Sequence, residues 1–397
     1  MKTQLEFYDK EILKNIPGVL PLRPERVVYF YDNTLTDRGV FTALERCLQR
    51  RLPGLLVETE PVDITRMPEI FAKVQETIRR YGDCDVDLTG GSELMLLAGF
   101  QAGLLEGARL FYTDLSRRKV ISLGSEALAY DIPALSLEDF VTARGAAFAG
   151  NSQEEPRPED YEAILGVCRY IFRHLRDWKD TCAYVQAGMS GAPPQQRQFC
   201  CPNAFRNRSR REVSPSWKLL RVLERAGLLR ELSLSPQEVR FVFRDSLSRK
   251  YATTYGIWLE LWVFIHAKRI PAFDDVRLGA MIDWDAGDRR CLVGNEIDVL
   301  LSMDSIPVFI SCKLREAGAP DVNELVVAKK RLGGWFSKGL LVCFGHSRTQ
   351  NTEVYRRGLD LGVEMLDERD LLSPDFGKRL LAAVRDYDLV KMKWTKV

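Results

Sequence analysis

Two apolar runs joined by a short polar turn constrain this chain more than any other stretch. Gly294-Asn295-Glu296-Ile297-Asp298-Val299-Leu300-Leu301 and Ile310-Ser311-Cys312-Lys313 flank Met303-Asp304-Ser305-Ile306-Pro307. Aliphatic, β-branched residues on both sides of an Asp-Ser turn predict an antiparallel hairpin. Folding it carries the acids Glu296 and Asp298 and the base Lys313 to the same end. Many metal-dependent nucleases set a carboxylate and an ammonium around one scissile phosphate in this way. Upstream, Gly256-Ile257-Trp258-Leu259-Glu260-Leu261-Trp262-Val263-Phe264 reads as an apolar helix with one carboxylate, Glu260. Burying that carboxylate is costly unless it meets a cation. Three elements are therefore expected to converge on one polar point.

Hydrolysis of a phosphodiester needs a polarised phosphoryl oxygen, a water deprotonated near neutral pH and stabilisation of the leaving group. Glu260 and Asp298 are the candidate ligands of a hard divalent cation, with the main-chain carbonyl of Cys312 as a further donor. Lys313 would orient the water or neutralise the pentacoordinate phosphate. Taken singly, Glu296, Asp298 and Lys313 read more readily as ordinary strand-end charges facing solvent. Their joint spacing with Glu260 is what favours a site.

This constellation resembles the PD-(D/E)XK restriction-endonuclease superfamily. Asp298 stands as the first-strand acid, Ser311-Cys312-Lys313 at the (D/E)XK position and Glu260 as the helix acid. The resemblance implies a mixed-sheet nuclease domain, manganese or magnesium as cofactor, and DNA or RNA as substrate. Ser311 departs from the pattern, because an Asp or Glu is usual there. Either Glu260 and Glu296 compensate, or the metal is held more weakly.

A second signal lies at Asp85-Val86-Asp87-Leu88-Thr89-Gly90-Gly91-Ser92-Glu93-Leu94-Met95. An apolar strand runs into Thr-Gly-Gly-Ser and then into a helical pattern. Glycines turn the backbone tightly at a helix start, where free amides attract phosphate. Plain helix capping by Ser92 reads the same residues. Around this turn, Val27 to Tyr31, Leu55 to Thr59 and Cys84 to Leu88 are strand-like and alternate with helical segments, which predicts a parallel, doubly wound sheet. Ligands of such sheets bind beyond the carboxyl ends of the strands, where Asp32, Asn33 and Thr34 and the turn Thr89, Gly90, Gly91 and Ser92 would both lie.

This order, with its Leu-Thr-Gly-Gly-Ser turn, resembles the CARF domain, a Rossmann-like sensor of cyclic oligoadenylates made during type III CRISPR defence. A CARF-like domain followed by a PD-(D/E)XK domain resembles the CRISPR ancillary nucleases that cyclic tetra-adenylate activates. The resemblance covers about residues 25 to 125 and 250 to 390. It implies a homodimer with a cyclic oligoadenylate activator lying across the dimer groove, and Asp32, Asn33, Thr34, Thr89, Gly90, Gly91 and Ser92 as ligand contacts.

Bulk properties set limits. The chain of 397 residues is long enough for two or three domains, and its net charge of +2 confines any nucleic-acid surface to a local patch. Arg206, Arg208, Arg210 and Arg211 form one candidate patch, or a solvated linker. The cysteines lack zinc spacing, the first residues do not show a charged-then-apolar pattern, and no apolar run approaches ~18 residues. A soluble, cytoplasmic protein with free thiols and no membrane partner is expected.

The division expected is a CARF-like sensor over residues 1–148, a helical and winged-helix-like connector over 149–248, and a nuclease domain over 249–397. Residues 189–216 read as a linker or mobile loop. Trp217, Leu220 and Leu223 mark a helix, and Val239 to Phe243 alternates like a strand, the pattern of a winged-helix unit that binds nucleic acid or connects domains. The whole is expected to be α/β. The opposing function is a non-catalytic regulator that binds nucleic acid without cutting it. A phosphotransferase is disfavoured, because no lysine follows the glycines as in a P-loop.

Overall fold

The computed structural model describes residues 1–124, 128–150, 154–284 and 294–385. The first sheet is built from β1 (Thr3–Phe7), β2 (Arg26–Asp32), β3 (Leu56–Val62), β4 (Cys84–Asp87), β5 (Arg109–Asp114), β6 (Lys119–Ser122) and β7 (Ala129–Asp131). Its order is β3-β2-β1-β4-β5-β6-β7. Strands β1 to β5 are parallel, and β6 and β7 return antiparallel. Helices Gly39–Arg51, Met67–Tyr81 and Glu93–Glu106 make the crossovers that parallel pairing demands.

The central strand, β1, is one that hydrophobic patterning does not reveal. Gln4 and Glu6 interrupt it, yet all five of its residues are buried. Gln4 Nε2 donates to Glu6 Oε1 at 2.7 Å, which offsets part of the burial cost. Because the chain winds outward from β1 to β3 and then crosses back to β4, the topological switch point falls between the carboxyl ends of β1 and β4.

Leaving this sheet, the chain forms helix Leu137–Ala143 and β8 (Ala147–Phe148). Both pack with the C-terminal region: β8 pairs with Ile282 and Asp283, and Leu137 and Val141 join Ala280, Leu300 and Phe309 in one apolar cluster. The end of the 1–148 segment thus lends a strand and a helix to the third region.

The connector holds helices Tyr161–Arg173, Leu175–Gly188 and Trp217–Arg225, with β9 (Gln198–Pro202), β10 (Phe205–Arg206), β11 (Glu212–Val213), β12 (Leu229–Leu234) and β13 (Glu238–Phe243). Residues 189–216 are therefore not a plain linker. β9 pairs with β13, and Phe199 stacks on Phe241 at 4.5 Å between ring centroids. The β12-β13-β9 sheet behind the Trp217–Arg225 helix is a winged-helix arrangement.

The C-terminal sheet adds β14 (Asp275–Asp283), β15 (Gly294–Met303), β16 (Ile306–Lys313), β17 (Lys338–Cys343) and β18 (Val363–Leu366), in the order β18-β17-β16-β15-β14-β8. The expected hairpin is β15–β16. Helix Ala319–Gly333 follows it, its start fixed by Asp321, whose Oδ2 accepts from Gly318 N–H at 2.8 Å. Connector and C-terminal region share one continuous core running from Ile164 to Val384. Among the described residues no helix is long and apolar enough to cross a membrane.

Candidate active site

The hairpin opens where its acid sits. Pairing of β15 with β16 runs from Met303↔Ile306 to Val299↔Ile310 and stops there. At the next position the Asp298 side chain replaces the main chain: Oδ2 accepts from Cys312 N–H at 2.6 Å and from Ser311 Oγ at 3.3 Å. Across the sheet Gly279 adopts φ +52, a left-handed conformation that favours glycine. The inward-outward alternation slips at this point, so Ile297 shares a cluster with Leu300 while Val299 shares one with Leu301. Where the pairing stops, Asp298 keeps partial access to solvent on a sheet that would otherwise cover it.

Glu260 comes from helix Ile257–Lys268, which is buried on nearly every side. Trp258 and Trp262 are both buried, so they are core side chains and not a base-stacking surface; the side chain of Trp335 lies outside the described residues. Burial pushes the Glu260 carboxyl up to about 8, and the charges of Asp298 and Glu296 push the same way, against Lys250 and Lys313. Asp298 is raised too, by burial first, while Cys312 N–H, Lys313 and the Ser311 hydroxyl pull it down and Glu296 pushes it up. Glu260, Asp298, Ser311 and Lys313 are half-buried and Glu296 is exposed. Asp298, Glu296, Lys250 and Lys313 thus all act electrostatically on Glu260.

The donor chemistry suits a hard cation. Glu260 is raised by Asp298 and Glu296, and Asp298 by Glu296, and a cation among these acids would relieve that repulsion. The Cys312 thiol is pushed well above its ordinary value by burial and by Asp298 and Glu260, and it sits in the apolar core. That leaves only the carbonyl of Cys312 as a donor. Among the described residues no group of three or more His, Cys, Asp or Glu is arranged to hold a metal. Two carboxylates and a carbonyl would leave about half of an octahedral ion's positions to water and substrate, and magnesium commonly keeps several waters.

Lys250, on helix Ser246–Thr253, adds a positive charge that acts on Glu260 and that spacing did not reveal. The helix is capped by Asp245, whose Oδ1 accepts from Ser248 N–H at 2.7 Å. Tyr251 packs on Trp258 at 5.9 Å, which seats the helix against that of Glu260. Lys250 lies ten residues before Glu260 in a different helix, so no periodicity links them.

At the other end of the molecule, Thr89 to Ser92 stand at the switch point, with Asp32 to Thr34 one strand away beyond β1. Gly91 has φ +85, and a Cβ on Gly90 would lie 2.4 Å from the Phe7 carbonyl oxygen. Both glycines are thus needed to lay the turn against β1. Thr89 Oγ1 donates to the Asp87 carboxylate and accepts from Thr113 N–H at 2.7 Å. Ser92 Oγ caps its helix by accepting from Met95 N–H at 3.4 Å. Asp32 Oδ1 accepts from Thr34 N–H and Oγ1 at 2.9 and 2.8 Å, and Asn33 and Thr34 are exposed. Between the two groups lies the segment after β1, where Asp9 accepts from Lys14 Nζ at 2.8 Å; sequence reading missed it along with β1.

No family model matches the chain, and no characterised protein matches its sequence. Solved structures do match in fold. Protein VC1899 from Vibrio cholerae superposes with a TM-score of 0.73 at 18% identity, covering 96% of this chain and 98% of that one. Can2 from Sulfobacillus thermosulfidooxidans, solved with cyclic tetra-adenylate, gives 0.67 at 14% identity over 98% and 99%. The chain has the fold of CRISPR ancillary nucleases. A type III CRISPR defence DNA nuclease activated by cyclic oligoadenylate also matches, with a TM-score of 0.51 at 16% identity, over 86% of this chain and 45% of that one. The ancillary-nuclease fold thus spans both the Rossmann-like sheet and the sheet that carries Asp298 and Lys313.

Proposed function

We propose that this protein is a cyclic oligoadenylate-activated, metal-dependent endonuclease of the PD-(D/E)XK type that works as a homodimer. What supports the reading is the β15–β16 hairpin, which brings Asp298 against Ser311 and Cys312 beside Lys313, with Glu260 near enough to feel the charges of Asp298 and Lys313. Glu260, Asp298 and the Cys312 carbonyl would hold manganese or magnesium, which supplies Lewis-acid polarisation of the phosphoryl oxygen and a more acidic water. Lys313 neutralises the phosphate as charge builds on it. Ser311, whose hydroxyl donates to Asp298, keeps that carboxylate's second oxygen turned to the site. Glu296 adds negative charge at the rim, and the splayed hairpin admits the nucleic-acid strand.

The homodimer is supported by helix Glu93–Glu106. It packs on its own sheet through Ala98, Gly99, Ala102 and Gly103, so closely that a Cβ on Gly99 would lie 2.3 Å from the Phe7 ring. Leu97, Leu104 and Leu105 face outward at 55, 59 and 65% exposure. A helix that turns its small residues inward and its leucines outward fits a second copy. It starts at the Thr89–Ser92 turn, so pairing across it would bring two such turns together around one cyclic ligand.

The test is a cleavage panel. Purified protein is incubated with plasmid DNA, single-stranded DNA and RNA, with manganese or magnesium, and with cyclic tetra- or hexa-adenylate. Cutting that needs both metal and cyclic ligand supports the reading. Ligand binding with no cutting of any substrate under any metal would replace it with the regulator that binds nucleic acid without hydrolysing it.

A further inference from the structure

Charge is distributed very unevenly along this chain. Residues 197–230 contain nine Lys or Arg against two Glu, a net +7 in a protein whose total is +2, so the remainder carries −5. Of these nine cations only Arg211 has an ion-pair partner among the described residues, Asp180 at 3.9 Å. The concentration is a property of the winged-helix unit, and its placement is ordered. Helix Trp217–Arg225 buries Leu219, Leu220 and Leu223 and exposes Lys218, Arg221 and Arg225. Those three positions, spaced by three and four residues, form a single outward stripe. Ser216 caps the helix by accepting from Leu219 N–H at 3.4 Å, and Trp217 Nε1 donates to Asn203 Oδ1 at 2.7 Å, which fixes its start. Beside it, the β10–β11 hairpin closes through Arg210 N–H to Asn207 O and holds Arg208 and Arg210 at its exposed tip.

We infer that this stripe and hairpin tip form a docking surface for the phosphodiester backbone of the nucleic-acid substrate, separate from the catalytic site. The inference rests on the nuclease reading above. Cationic side chains without ion-pair partners, aligned on one face of a helix that precedes a two-stranded wing, suit a run of backbone phosphates, and DNA-binding units of this kind present a helix to nucleic acid. The unit does not swing free. Arg244 holds Asp160 through two hydrogen bonds of 2.8 and 2.7 Å, and the unit shares its core with the sheet of Asp298. A strand held on the stripe is therefore held at a fixed distance from the scissile position, which raises its local concentration there.

The test uses full-length protein carrying Asp298→Asn, so that binding is read without cutting. Affinity for a labelled DNA duplex and a labelled single-stranded RNA is measured over a salt series, with and without Lys218→Gln/Arg221→Gln/Arg225→Gln. The triple variant should bind at least about tenfold more weakly, with a salt slope smaller by about 2 to 3 on duplex, since each phosphate contact contributes about 0.9. Lys in place of both arginines should retain most of the slope. Arg208→Gln/Arg210→Gln, on a different element, should give a separate and smaller loss. In the cutting enzyme the triple variant should raise KM for long substrates and leave kcat and cyclic-ligand binding unchanged. Unchanged affinity and slope in both variants, with a wild type that cuts, would overturn the docking surface alone. Loss of binding to phosphatidylserine vesicles with nucleic-acid affinity intact would overturn it in favour of a lipid surface. A wild type that neither binds nor cuts nucleic acid would overturn the nuclease reading itself.

Discussion

The two polar regions of this molecule are built on opposite principles. Around the glycine turn of the first sheet, polar side chains are hydrogen-bonded by their neighbours: Asp87 accepts from Thr89 and Thr113, Ser92 caps a helix and Asp32 accepts twice from Thr34. What remains free there is backbone shape, set by Gly90 and Gly91. At the Asp298 site the side chains oppose one another, with Glu260 and Asp298 both raised by burial and by neighbouring acids. A surface that recognises a ligand gains from rigidity, whereas a site that polarises a reacting group keeps charges which its own fold leaves uncompensated. The regions are linked through the hairpin. Its turn residues Asp304 and Ser305 meet the first region, with Arg118 Nη1 to Asp304 Oδ1 at 2.9 Å and Leu135 N–H to Ser305 Oγ at 2.9 Å. The strands that carry Asp298 and Lys313 therefore end on the half of the chain that carries the glycine turn.

The sharpest way to break this contrast is to neutralise the opposed side. Asp298→Asn and Lys313→Ala should each lower the cleavage rate by at least about a hundredfold. Calorimetric binding of cyclic tetra-adenylate should be unchanged in both. Wild-type turnover in both variants would move the active site elsewhere.

On the rigid side, Gly91→Arg should abolish cyclic-ligand binding and activation, because it forces a side chain into φ +85 with its Cβ 2.7 Å from that of Phe7. Asn33→Ala, on an exposed loop, should weaken binding without that strain. A Gly91→Arg protein activated as well as wild type would leave the turn as a helix cap and nothing more.

Ser311→Glu sharpens the comparison by adding a fourth acid, beside Glu260, Glu296 and Asp298, to an already crowded point. Calorimetry should show manganese bound about tenfold more tightly, roughly 1.4 kcal/mol. Chelated protein should melt lower than wild type for the same reason. Unchanged metal affinity would place Ser311 outside the ligand set.

The smallest effects come from titration. Glu260 has a folded pKa of about 8 against an ordinary 4.5, so the native state holds the proton more tightly than the unfolded chain. The stability this gives is complete below about pH 4.5 and is lost as pH rises towards 8. In chelator, Glu260→Gln should therefore be more stable than wild type by about 1–2 kcal/mol at pH 9, with the difference vanishing near pH 4.5. Asp87, raised to about 6 by burial against an ordinary 3.8, loses its contribution over the narrower window between those values, and Asp87→Asn should flatten the pH dependence there. Melting curves over pH check both; a Glu260→Gln protein less stable at pH 9 would contradict the strained-site account.

Much of this architecture was legible because its hydrophobic periods are long. The β15–β16 hairpin, the alternation of strand and helix between β2 and the Glu93–Glu106 helix, and the Trp217–Arg225 helix all follow from runs that satisfy one period at a time. β1 was not legible, because Gln4 and Glu6 are buried polar residues that hydrogen-bond each other inside the sheet. β9 was hidden by its flanking prolines and arginines, although Phe199 points into the core. At the candidate site the acid-and-lysine spacing was readable, while Lys250 and the glycine opposite Asp298 were not. Their relation to the site depends on how two helices and two strands pack, and no short-range pattern records that.

The central claim is that ligand held at the glycine turn governs hydrolysis at the Asp298 site. Single-turnover cleavage of one labelled substrate in manganese, with and without saturating cyclic tetra- or hexa-adenylate, tests it directly. One of the two rings should raise the rate at least about tenfold, a coupling of roughly 1.4 kcal/mol, and excess chelator should abolish cutting in either state. Equal rates with and without both rings, or full cutting in chelator, would contradict it.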